Sequence, residues 1–174
     1  MANAGPVKLI DAIQGASYPS IRSAVAILQN RKLNLAQFEI QLLADGIAKA
    51  VIFTDKNQQP GSLKYLGVRQ GAAMEMNLAE LAKFVGEQSQ AKVIDTLQGA
   101  NYPLVDSAAG VLPSHKLDVV NFRIEVVRDG DAVVVIFTHN DRAPAARGHI
   151  PATPAFEVQL NARDSTVVRA NFVR

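Results

Sequence analysis

The sequence predicts an α+β fold of two tandem repeats, each a helical segment followed by a four-stranded antiparallel sheet with an Asp-Gly hairpin. Three observations predict it. Residues 8–54 begin KLIDAIQGASYP and end VIFT; residues 92–138 begin KVIDTLQGANYP and end VIFT, at a constant offset of 84 and with 22 identities over 47 aligned positions. Within each copy the apolar period shifts from that of a helix to that of a strand. Each copy also carries an alternating run, then Asp-Gly, then an apolar run, the strongest short-range hairpin signal.

In chain order, Pro6 suits the first turn of a helix, and Val7, Leu9, Ile10 and Ile13 share one face of it up to a stop at Gly15. Past the link Ala16-Ser17-Tyr18-Pro19, Ser17 or Ser20 is placed to cap a second helix carrying Ile21, Ala24, Val25 and Leu28 and ending across Asn30 to Lys32. From Leu33 the period is 2: Phe38, Ile40 and Leu42 alternate with Glu39 and Gln41, then Asp45-Gly46 turns the chain into Ala48 to Thr54. The second copy repeats this with Phe122, Ile124 and Val126, Asp129-Gly130, and Val133 to Phe137. VVVIF at 133–137 has no polar position on either face, which predicts a strand buried on both sides and covered by the other repeat, a twin subunit or an apolar ligand.

After Thr54 and Thr138 come the two longest irregular stretches, residues 55–71 and 139–154, expected to be long loops in matching places. Beyond them Met74, Met76 and Leu78 align with Phe156, Val158 and Leu160 as an alternating strand. A turn over Ala162 to Ser165 leads to a last strand through Val167, Arg169, Asn171 and Val173. Residues 79–90, AELAKFVGEQSQ, read as a helix in isolation and as turn and strand by analogy with the second copy; the analogy is preferred. Two units result, 1–87 and 88–174, each near the lower end of self-sufficient folding size, so the copies are expected to pack together.

Composition narrows the function classes. The net charge of +2 comes from 18 basic and 16 acidic residues with no block of one sign, which argues against a nucleic-acid footprint. There is no cysteine, so disulfides and thiolate metal sites are excluded and the redox compartment is undetermined. No stretch approaches the roughly 20 apolar residues of a membrane span, and MANAGPVKLI has no signal-peptide core. The expectation is a soluble chain of unknown compartment; an export leader already removed would leave no trace.

A helix-first unit feeding a four-stranded antiparallel sheet, present twice, resembles the tandem arrangement of beta-lactamase inhibitory proteins, and more broadly the PepSY-like and cystatin-like αβ folds. The ending FEVQLNARDSTVVRA is similar to the strand-turn-strand ending of PepSY-type domains. The hairpin turns Leu43-Ala44-Asp45-Gly46 and Val127-Arg128-Asp129-Gly130 lack the cystatin Q-x-V-x-G, and the disulfides of the inhibitory proteins have no counterpart. The resemblance therefore implies a topology and assigns no residue a role.

The repeated Gln-Gly-Ala-x-Tyr-Pro turns offer Tyr18 and Tyr102 as ligand-contacting candidates, against the plainer reading of a helix C-cap glycine with a tyrosine packed over the helix end. The long stretches offer Lys56, Lys64, Tyr65 and Arg69 in the first copy and His139, Arg142, Arg147 and His149 in the second as binding candidates. His139, Asp141 and His149 match no metal spacing. His115 is placed to meet the C-terminal carbonyls of a helix. Arg22 and Glu39 become Asp106 and Arg123 in the second copy, a reversal of both signs.

No nucleotide, nucleophile-elbow or metalloprotease motif is present, and no catalytic residue, metal or cofactor is assigned. The reading that results is a non-catalytic binding or protein-interaction protein using a two-lobed αβ platform and two long loops, with a protein as partner and a homodimer as an open arrangement. The alternative is a small-molecule binder or small enzyme with an apolar pocket between sheet and helices.

Overall fold

A computed structural model describes residues 7–30, 32–45, 48–56, 65–69, 72–76, 80, 83, 92–140 and 155–173. Among them are two antiparallel sheets of five strands and two helices of a turn or more. The first sheet has the order β1 (Lys8–Gln14), β7 (Phe122–Asp129), β8 (Ala132–His139), β9 (Ala155–Asn161) and β10 (Val167–Val173). The second has the order β5 (Ala72–Met76), β4 (Tyr65–Arg69), β3 (Ala48–Asp55), β2 (Phe38–Asp45) and β6 (Lys92–Gln98).

The chain divides into two compact units that differ from the sequence copies. Unit 1 combines Met1–Ala16 with Asn101–Arg174, and unit 2 is the continuous segment Ser17–Ala100. Each sheet thus takes one edge strand from the other copy: β1 lies against β7, and β6 lies against β2. The expected boundary at 87/88 falls outside the described residues.

The segment expected to be the first helix, and its second-copy counterpart, are therefore β1 and β6. Seven residues ended by a glycine make a marginal helix, and pairing along an open sheet edge supplies hydrogen bonds and burial that a lone helical turn lacks. In β1 only Ile13 is fully buried, opposite Ile124, and Leu97 takes the same place in β6, opposite Ile40.

Helix α1 (Tyr18–Asn30) buries Tyr18, Ile21, Ala24, Val25 and Leu28 along one face, and Pro19 sits in its first turn, where no N–H is needed. The chain stops past Asn30 with Lys32 in the left-handed region, φ 57°, its N–H on the Gln29 carbonyl. Helix α2 (Tyr102–Ala109) buries Tyr102, Leu104, Val105, Ala108 and Ala109. It is shorter because Pro113 stands where α1 has Gln29, and a 3-10 turn at Leu112–His115 replaces its last turns, ending at Lys116 with the same φ of 57°. α1 packs on β2 and β3, and α2 on β7, β8 and β9.

Both hairpins form. In the second, Asp129 faces Ala132 and the turn residues are Gly130 and Asp131, with positive φ at Gly130 alone, 61°. Glycine as the first of two turn residues is the II′ arrangement, so Gly130 rather than the Asp before it sets the turn. Gly46 lies outside the described residues.

After the hairpins the expectations need correction. Tyr65–Arg69, expected within a long loop, is strand β4 paired with β3, with Thr54 opposite Tyr65 and Ala50 opposite Arg69. β4 therefore holds the place of β9, and β5 that of β10, so Met74 and Met76 correspond to the last strand and not to Phe156 and Val158. The connection is shorter in the first half than in the second, and a constant offset fails beyond it. Of residues 79–90, expected as turn and strand, Glu80 and Lys83 are described and are helical. The turn after β9 forms as expected: the Ser165 N–H meets the Asn161 carbonyl, and Asp164 accepts from Thr166.

Candidate functional site

The two Gln-Gly-Ala turns are where the chain passes between the units, and the sequence gives them the same construction. A Cβ built on Gly15 would stand 1.8 Å from the Val119 carbonyl oxygen and 2.5 Å from that of Phe122; on Gly99 it would stand 1.9 Å from the Leu35 oxygen and 2.7 Å from that of Phe38. These glycines are not helix caps. Each is the point where the incoming strand passes over the 3-10 turn that leads into the receiving strand, and no side chain fits there.

One residue past each turn a polar side chain reaches the incoming strand. Asn101 Nδ2 donates to Asp11 Oδ2 at 2.6 Å, and in the other unit the Ser17 hydroxyl donates to Asp95 Oδ2. Ser17 thus binds Asp95 where it was expected to cap α1. Asp11 and Asp95 stand at equivalent places, each accepting from the residue immediately before a helix, Asn101 before α2 and Ser17 before α1, on the side where the helix dipole favours a carboxylate. The sequence held the signal: an aspartate identical in both copies inside an otherwise apolar stretch.

Tyr18 and Tyr102 are buried at the starts of the two helices, 6% and 5% exposed, and the Tyr102 hydroxyl lies 3.4 Å from Asp106 Oδ1. They belong to the core and offer no open contact. Lys56 is exposed beyond β3, with Nζ donating to Gln98 Oε1 at 2.7 Å; Gln98 Nε2 in turn donates to Glu39 Oε2 at 3.2 Å. Tyr65 and Arg69 stand at opposite ends of β4. His139 ends β8 with its ring edge-on to Phe122, centroids 5.3 Å apart. Lys64, Arg142, Arg147 and His149 lie outside the described residues. The structure does not bring the described candidates into one cluster.

Two other expectations resolve differently. His115 packs its ring edge-on to Phe156, centroids 4.8 Å apart, rather than serving helix carbonyls. Arg123 Nε lies 3.4 Å from Glu125 Oε1 on its own strand, while Glu39 is bound by Gln98, so the sign reversal needs no exchanged salt bridge to account for it.

A surface with a more definite pattern is the face of the first sheet turned away from α2. Its rows run Gln14, Arg123, Thr138; then Ala12, Glu125, Ile136, Glu157, Asn171; then Leu9, Val127, Val134, Gln159, Arg169. On β8 the α2 side holds Val133, Val135 and Phe137, all fully buried, while Val134 and Ile136 on the other side are only half-buried. The doubly apolar strand is therefore dry on one face and partly open on the other. The chain leaves β8 at His139 and returns at Ala155, at the Arg123 end of this face.

Among the described residues no group of three or more His, Cys, Asp or Glu is placed to hold a metal ion. No helix among them is long and apolar enough to cross a membrane. No family model, curated protein or solved structure matches the chain.

Proposed function

We propose that the protein is a non-catalytic binding protein, two tandem αβ lobes that hold a protein partner on the open face of the β7–β8–β9 sheet and on the chain excursions that follow β3 and β8. The observation that carries this reading is the pattern on that face: Val134 and Ile136 half-buried at the centre beside the buried Val127, with Arg123, Glu125, Glu157, Gln159 and Arg169 around them. An apolar centre inside a polar rim is the usual anatomy of a protein contact. Against the alternative of an apolar pocket between sheet and helix speaks the packing of unit 1, where Val135, Phe137 and Phe156 are fully buried on the α2 side.

The test is retention of a protein from the chain's own source by immobilised wild type, Ile136→Glu, and Arg142→Ala with Arg147→Ala. The expected result is one species retained by the wild type and lost by both variants, at nearly unchanged melting temperature. Equal retention by all three would remove this face and the segment bearing Arg142 and Arg147 as the contact surface.

A further inference from the structure

Each unit is completed by a strand from the other sequence copy, and the two receiving grooves are built alike. Beside β7, Ile13 enters the core opposite Ile124, Asp11 accepts from Asn101, and Gly15 lies on the carbonyls of Val119 and Phe122. Beside β2, Leu97 enters opposite Ile40, Asp95 accepts from Ser17, and Gly99 lies on the carbonyls of Leu35 and Phe38. Apolar, acid and glycine thus recur at fixed spacing in both donor strands, KLIDAIQG and KVIDTLQG. Main-chain pairing supplies the attraction, and these three positions set the register.

The groove beside β7 has a further property. Its donor strand is joined to it only through Ser17–Ala100, a continuous unit holding its own helix and a complete five-stranded sheet. The partners named for β1, Ile124, Asn101, Val119 and Phe122, all lie beyond residue 100. The same strand arriving on another molecule would make the same contacts.

We propose that the β7 groove is a strand-accepting interaction site whose partner is a second copy of this chain, so that β1 of each protomer pairs with β7 of the other. The exchanged and closed forms share the β1–β7 pairing, the Asp11–Asn101 hydrogen bond and the Gly15 seat on Val119 and Phe122, and differ at the junction around Ala16–Ser17 and in the entropy of association, which makes exchange a low-cost route to a dimer. The closed form prevails while the protein is more dilute than the effective concentration of its own strand, which the reach of the folded tether Ser17–Ala100 sets. Among the described residues β1 is an edge strand, paired with β7, so opening it leaves the other four strands paired.

The absence of cysteine makes engineered thiols clean reporters, and Ala12 lies directly opposite Glu125. Chains carrying A12C and chains carrying E125C are unfolded together, refolded at increasing concentration and oxidised. The expected product is a disulfide-linked pair of one chain of each kind, at twice 18.7 kDa, whose share rises with concentration during refolding. The A12C/E125C double variant, refolded dilute, should close its disulfide internally. Internal closure in the double variant without any mixed dimer at any concentration overturns the proposal. A second readout needs no substitution: isotope-labelled and unlabelled wild type refolded together should give mixed-mass dimers in native mass spectrometry, and monomers alone at every concentration overturn it equally.

Discussion

The two sheets agree closely up to the hairpin and part company after it. Phe38 and Phe53 meet edge-to-face at 6.3 Å and 89°, and so do Phe122 and Phe137. On the helix side, one row across the first sheet reads Ile13, Ile124, Phe137, Phe156, Phe172, and the matching row across the second begins Leu97, Ile40, Phe53. The first sheet thus ends in an aromatic, Phe172, 46% exposed with its ring near His115. The far faces differ too: Ile52 is 3% exposed, whereas its counterpart Ile136 is only half-buried. The halves that build the strand junction and first hairpin are held constant by close approach and core packing, and the halves beyond are free to diverge. The β10 edge carries a bulge near Val168 and the exposed charge of Arg169, both of which discourage further pairing there.

The largest test of this comparison is aromatic truncation. Phe137→Ala removes a fully buried ring lying between Phe122 and Phe156 and should cost about 4 kcal/mol. Phe53→Ala removes an equally buried ring and should cost about the same in unit 2; urea unfolding followed by amide exchange would assign each loss to its unit, and one shared loss would mean the units do not unfold separately.

Next come the glycines. Gly15→Ala and Gly99→Ala each place a methyl group inside contact distance of two carbonyl oxygens, with an expected loss of about 3 kcal/mol each, at the upper end of overpacking. Denaturant midpoints falling by unequal amounts would show that the two junctions are less alike than their geometry. Asp11→Ala and Asp95→Ala leave the amide of Asn101 and the hydroxyl of Ser17 without those acceptors and should cost about 1–2 kcal/mol, more at Ser17, which is the more buried.

The smallest effect belongs to the turn after β9. Hydrogen bonds from the Thr166 hydroxyl and N–H hold the Asp164 carboxyl below its ordinary 3.8. A folded-state value below the unfolded one contributes stability above the unfolded value, lost as pH falls through it toward the folded value. Asp164→Asn should therefore narrow the melting difference between about pH 5 and about pH 3. The shift is slight because the group is fully exposed, and an unchanged difference in the variant would show that the turn is not acid-sensitive.

Much of the hairpin architecture was legible in the sequence, because alternation over Phe122 to Val126 and a turn glycine are local signals. The strand character of β1 was not. Leu9, Ile10 and Ile13 fit a helical face as well as a strand, and seven residues cannot separate the two periods; the β-branched Val93, Ile94 and Thr96 of the second copy were the better guide. Its pairing with β7, more than a hundred residues away in the chain, has no local signature at all. β4 was concealed by Gly67, which sits opposite Ile52 and breaks the apolar run. Of the site, the repeated glycine and aspartate were visible as letters, while their purpose depended on that distant pairing.

The placement of β1 also imposes a timetable on synthesis. Lys8–Gln14 is translated before all of unit 2, and its partner Phe122–Asp129 appears only afterwards, a delay on the order of ten seconds at ordinary elongation rates. During that interval unit 2 gains every strand it needs, including β6, while β1's own partner β7 has yet to be made. An unpaired strand bearing Leu9, Ile10 and Ile13 is a hazard during that interval, because a waiting apolar strand can pair with any open sheet edge.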